Sequence, residues 1–110
     1  MQKEQTEFII IITTCSSQKE AEKLASILVE KRLAACAQVS GPITSFYWWE
    51  DNIEKDKEWQ VKFKTLSTMF DQACETIKKN HSYEVPQILA LKIDQILPEY
   101  AAWLTEETAK

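Results

Sequence analysis

His81, the only histidine of the chain, stands in the stretch His81-Ser-Tyr-Glu84, just ahead of Val85-Pro86. A neutral imidazole is a good donor to copper and other transition ions, and a carboxylate such as that of Glu84 can complete an N,O set. The same residue, near the end of a predicted helix, can instead bond free main-chain carbonyls and favour the negative end of the helix dipole. Both readings stand at this level. Pro86 biases the residue before it toward extended backbone. The phenol of Tyr83, the carboxylate of Glu84 and the imidazole can then rim a cleft, or Glu84 can pair with a lysine across an interface.

The cysteines Cys15, Cys36 and Cys74 are odd in number and widely spaced, with no C-x-x-C pair, so they suit neither a disulfide framework nor a zinc finger. Free, mostly buried thiols are expected. Cys36 reads as a small buried hydrophobe, and Cys15 is the better candidate for capturing a soft metal. Redox sensing would need an exposed thiol of low pKa.

Nucleophilic catalysis lacks its parts. There is one histidine, no nucleophile motif and no Gly-rich phosphate loop, so neither an enzyme nor an organic cofactor is expected. Glu50 and Asp51 read as solvated charge at a turn. A formal charge of −4 gives no field to attract phosphate backbones, and nucleic acid is not an expected partner. The apolar run Phe8 to Ile12 is too short for a membrane span or a secretion signal, so no membrane contact and a cytoplasmic location are expected.

The 110 residues suffice for one domain, taken as 1–110, with residues 1–6 expected to be disordered. Phe8 to Cys15 is β-branched and apolar throughout, the pattern of a central strand. Ser17-Gln-Lys-Glu20 matches a capping box, and Ala21, Leu24, Ala25 and Leu28 continue it as a helix over 18–33. Residues 36–65 read as a long hairpin turning near Glu50-Asp51-Asn52-Ile53, with Gly41-Pro42 bending its first arm. Trp59, Val61 and Phe63 alternate with Gln60, Lys62 and Lys64 on the second arm. Ser67 is expected to cap a second helix carrying Met69, Phe70, Ala73 and Ile77 and ending near Asn80. Residues 86–95 are the predicted fourth strand, and Pro98-Glu99 opens a short closing helix docked by Tyr100, Trp103 and Leu104.

The order βαββαβ is that of an α+β, ferredoxin-like sandwich: a four-stranded antiparallel sheet with two main helices on one face. RNA-recognition domains share this order, but "EWQVKFKT" lacks their base-stacking signature, and the chain is acidic. The run "ITSFYWWE" is then informative. On a strand, Phe46 and Trp48 line one face while Tyr47 and Trp49 line the other. Two aromatics on an open face present about 300 to 500 Å², near the largest apolar patch of a typical monomer. An oligomer with this hairpin in its interface is expected; the alternative is that the closing helix covers the same surface.

Cys36, Gly41-Pro-Ile-Thr-Ser45, Tyr47, Trp49, Ile53, Glu58, Lys64-Thr65, His81-Ser-Tyr-Glu-Val-Pro86 and Ala90-Leu91 together resemble the pattern of the CutA family, the divalent-cation tolerance proteins, over essentially the whole chain. The resemblance implies a cytoplasmic homotrimer similar in architecture to PII signalling proteins, with the long hairpin reaching across a neighbour. It also implies a non-enzymatic role in tolerance or binding of divalent metal, copper above all. The partners expected are further copies of the chain and a divalent ion. The copper site of some members takes a cysteine near the end of the first strand and two consecutive histidines. Here Thr13 and Asn80 occupy two of those positions and His81 the third, leaving His81 as the candidate ligand with Cys15 and Glu84 beside it. Tyr47, Trp49, Glu58, Lys64, Tyr83 and Glu84 are the candidate cleft and interface residues. A second reading is a PII-like regulator that takes a small anionic metabolite in an intersubunit cleft.

Overall fold

The structure, a computed structural model, describes residues 7–110. The disorder expected for 1–6 lies outside the described residues. Strand β1 (Phe8–Cys15) is followed by helix α1 (Gln18–Glu30), strands β2 (Cys36–Trp49) and β3 (Asn52–Leu66), helix α2 (Phe70–Asn80), strand β4 (Ile88–Lys92) and helix α3 (Pro98–Glu107). The sheet order is β2-β3-β1-β4 and every neighbouring pair is antiparallel. This is the expected ferredoxin-like sandwich.

The layers follow from side-chain period. Ile9, Ile11 and Cys15 of β1 share a core with Val61 and Phe63 of β3 and with Ala21, Leu24 and Leu28 of α1, while Ala73 and Ile77 bring in α2. Spacings of three and four on the helices and two on the strands place these groups on facing surfaces. On the other face Ile12 and Thr14 are nearly buried, but Leu89 and Leu91 of β4 stay exposed.

Four boundaries differ from the sequence expectation. Helix α1 ends at Glu30 rather than 33, because Arg32 turns into the left-handed region at φ 61. Leu33 and Ala34 reach the core from beyond that turn. Ser67 does not cap α2. Its N–H donates to Glu7 O at 2.9 Å, prolonging the β1–β3 pairing, and a single 3₁₀ turn, Ser67–Met69, leads into the helix. The fourth strand pairs only over Ile88–Lys92, where β1 offers partners from Ile9 to Thr13.

Beyond Trp59, strand β3 loses β1 and pairs with β2 alone. The segments Ile43–Trp49 and Asn52–Glu58 therefore project as a two-stranded arm that turns at Glu50 and Asp51, both at positive φ. At about 3.3 Å per residue the 15 residues of β3 run about 50 Å, which accounts for the molecule's 51 Å long axis. The arm starts at a register shift between Ser40 and Ile43, where Gly41 takes φ 149 and the Gly41-Pro42 peptide is cis. A two-stranded ribbon is marginal in water by itself. Here it leaves Phe46, Trp48, Trp49 and Ile53 exposed by 67%, 72%, 60% and 63%.

Helix α3 does not cover the arm. Its Leu104 is buried, the Arg32 guanidinium donates to both the main-chain O and the carboxylate of Glu107, and Lys64 Nζ stands 5.8 Å from the Tyr100 ring centroid. These contacts dock α3 at the opposite end, against the close of α1 and β3, with Trp103 left exposed. No helix among the described residues is long and apolar enough to cross a membrane.

Candidate functional site

Three segments of different origin meet at the end of β1. Cys15 closes the strand with its thiol fully buried on the helix side. Ser17 then starts α1 as the capping box predicts, its Oγ accepting from Glu20 N–H at 3.1 Å. The Glu20 side chain does not complete the box. Its Oε2 accepts instead from Ser82 N–H at 2.8 Å, and its Oε1 is buried without a hydrogen-bond partner.

His81 arrives from the far end of α2. It leaves the helix in extended conformation, φ −97 and ψ 142, rather than forming part of the last turn. Its ring does not bond carbonyls of its own helix. Nε2 lies 2.8 Å from Thr14 O and 3.9 Å from Cys15 Sγ, and Nδ1 accepts from Tyr83 N–H at 3.1 Å. One donor atom from each of Cys15, Glu20 and His81 lies within 4.8 Å of the other two. Burial first, and then the nearby charge of Glu20, push the Cys15 thiol up to about 12. The group is a neutral thiol at neutral pH, and a bound cation is what would favour its thiolate.

Glu84 stands apart from this cluster. With Tyr47, Trp49, Glu54, Glu58 and Tyr83 it lines a neighbouring cleft of about 950 Å³ at the root of the arm. Tyr83 OH donates to Glu58 Oε2 at 2.9 Å, and the Glu58 side chain is almost wholly buried. Burial, and next that hydrogen bond, raise the Tyr83 phenol above its usual range. Tyr47 OH donates to Asp56 Oδ2, a bond that leads the causes pushing this phenol up to about 12. The His81 and Tyr83 ring centroids are 4.9 Å apart, so cleft and cluster share a wall.

Of the six residues expected at a cleft or interface, Tyr47, Trp49, Glu58, Tyr83 and Glu84 line this cleft. Lys64 lies toward the C-terminal end of β3, opposite Cys36 and near Tyr100. The cleft carries three carboxylates, Glu54, Glu58 and Glu84, and no cationic side chain among its lining residues. That lining repels an anionic metabolite.

Sequence reasoning missed Glu20. The capping box gave its carboxylate a local partner and so a sufficient role. The available signal was its position in the first turn of a helix that begins just after Cys15.

The fold and the site together define a ferredoxin-like α+β protein with a projecting aromatic arm and a thiol, imidazole and carboxylate gathered at the end of its first strand. The family model described as "CutA1 divalent ion tolerance protein" matches residues 9–107. The "Divalent-cation tolerance protein CutA" of Pyrococcus horikoshii is 40% identical over 102 residues, covering 93% of this chain and 99% of that one. The crystal structure of CutA1 from Oryza sativa superposes with a TM-score of 0.92 at 32% identity, covering 94% of this chain and 95% of that chain. The structure described as the periplasmic divalent cation tolerance protein CutA from Archaeoglobus fulgidus gives 0.88 at 40% identity, covering 91% and 97%. The chain belongs to the CutA1 divalent ion tolerance family.

Proposed function

We propose that this protein is a non-enzymatic homotrimer, PII-like in architecture and cytoplasmic, that serves divalent-cation tolerance by reversibly binding copper or another divalent ion beside His81, near a subunit interface. Family membership supplies the class of function. The observation that carries the site is the approach of Cys15 Sγ to His81 Nε2, 3.9 Å apart at the end of β1. Sulfur and imidazole nitrogen together suit copper and zinc, and are poor donors for calcium or magnesium. The trimer is supported by the two-stranded arm, whose exposed aromatics need a surface to cover them. The cytoplasmic placement rests on the sequence alone and is checked by cell fractionation.

The PII-like alternative, an anionic metabolite in the cleft, is disfavoured by the three carboxylates there. A thermal-shift series separates the two readings, because any ligand that prefers the folded state stabilises it by about 2.7 kcal/mol at 100 times its Kd. Copper or zinc is expected to raise the melting temperature, and nucleotides and organic acids to leave it unchanged. A shift with an anionic metabolite and none with metal would reverse the assignment.

A further inference from the structure

Glu20 is the unexplained residue at the end of β1. One of its carboxylate oxygens is buried with no partner, beside a buried thiol and an imidazole. Buried polar atoms are nearly always paired, and an unpaired one calls for an explanation. Bond lengths of about 2.3 Å to sulfur and about 2.0–2.2 Å to nitrogen and oxygen put the donors of a tetrahedral zinc site roughly 3.4–3.6 Å apart. The Sγ to Nε2 distance of 3.9 Å is close to that, and the 4.8 Å limit on the whole set requires only a modest contraction.

We propose that Cys15, Glu20 and His81 form a three-donor S,O,N site for a borderline divalent ion of the zinc class, and that filling it releases the backbone of Ser82 and Tyr83. This rests on the reading that divalent ions bind beside His81, and adds the third donor, the class of ion and the part that moves. Three protein donors leave a fourth position open, the arrangement of an exchanging rather than a purely structural site.

The release follows from hydrogen bonds already present. His81 Nδ1 accepts from Tyr83 N–H, so the neutral ring carries its proton on Nε2 and donates it to Thr14 O. Nε2 cannot ligate a metal while it holds that proton. In the loaded ring the proton sits on Nδ1, which requires Tyr83 N–H to withdraw; the Cys15 thiol proton goes to solvent. Each ion bound therefore releases one proton, forms Sγ, Nε2 and carboxylate bonds to the metal, and opens the bonds to Thr14 O and Tyr83 N–H. The Glu20 bond to Ser82 N–H competes for the same carboxylate. Because Tyr83 OH holds Glu58 at the cleft, loading also alters the cleft wall.

The test uses the full chain with Zn(II) or Co(II) as the sole added ion. Calorimetry gives affinity and stoichiometry for the wild type, Glu20→Gln, Cys15→Ser and His81→Ala. Gln at 20 keeps an acceptor for Ser82, so the start of α1 is preserved, which circular dichroism checks. The expected result is one ion per chain, affinity lowered about tenfold or more in Glu20→Gln, and a thiolate-to-cobalt charge-transfer band that vanishes in Cys15→Ser. Amide hydrogen exchange at Ser82 and Tyr83 should quicken on loading. Undiminished binding by Glu20→Gln, with His81→Ala still defective, would remove Glu20 from the site and leave the reading of metal at His81 standing. Unchanged exchange at Tyr83 in the loaded protein would overturn the release. Absence of binding by the wild type would overturn both the site and the reading beneath it.

Discussion

Gly41→Ala tests how the arm is set on the sheet. Gly41 is the chain's only glycine and holds φ 149, a conformation that side-chain-bearing residues rarely adopt. A Cβ added there would meet Trp59 Cδ1 at 2.7 Å, Trp59 Cγ at 3.0 Å and Glu58 O at 3.1 Å. The indole packs against the core, so its ring cannot swing aside freely. Strained backbone costs about 1–3 kcal/mol and overpacking another ~1–3, offset by ~0.4–1 from the less flexible unfolded chain. The net expectation is a loss of about 1–6 kcal/mol, read by urea denaturation at fixed protein concentration. The shift should appear in the midpoint with little change in slope. A change below about 0.5 kcal/mol would refute the reasoning, since surface substitutions free of strain fall in that range.

Other consequences are equally direct. Trp48 exposes 72% of its surface on the arm, about 180 Å² of a large aromatic side chain. Trp48→Asp should weaken assembly by about 4–5 kcal/mol per buried indole at about 25 cal/mol per Å². Light scattering over a dilution series checks this, and an unchanged mass would mean the arm is not an interface. Glu107 has its carboxyl held below the ordinary 4.5, first by the hydrogen bond from Arg32. That contribution is complete above about pH 4.5 and is lost as pH falls through the lower folded value, so Glu107→Gln should flatten the acid limb of a stability profile. Cys15, buried and protonated, should resist iodoacetamide at pH 8 in the native protein and react once urea unfolds it.

The fold was legible because its signals are local. β-branched runs, the Ser17 cap, the turn after Trp49 and Pro98 each act within a few residues, and the structure places β1, α1, the hairpin and α3 accordingly. Ser67 misled because a serine before an apolar stripe looks like a cap, whereas a 3₁₀ turn, Ser67–Met69, separates it from the start of α2 at Phe70. The site was legible only in part. His81 and Cys15 stood out as residue types, but their 3.9 Å approach joins positions 66 apart in the chain. Glu20 was concealed by a plausible local partner, and only packing against Ser82, 62 residues on, reveals where its carboxylate goes. Lys64 was grouped with the cleft and interface residues by resemblance, but six residues of extended strand, about 20 Å, separate it from Glu58 along β3.

The central claim is that His81 holds a divalent ion. Its most direct test is a Cu(II) titration of the purified protein at neutral pH, followed by electron paramagnetic resonance, for the wild type and His81→Ala. Nitrogen coupling with saturation at one copper per chain, both lost in the variant, is the result the account predicts. Weak, non-stoichiometric binding that the substitution leaves unchanged would contradict it.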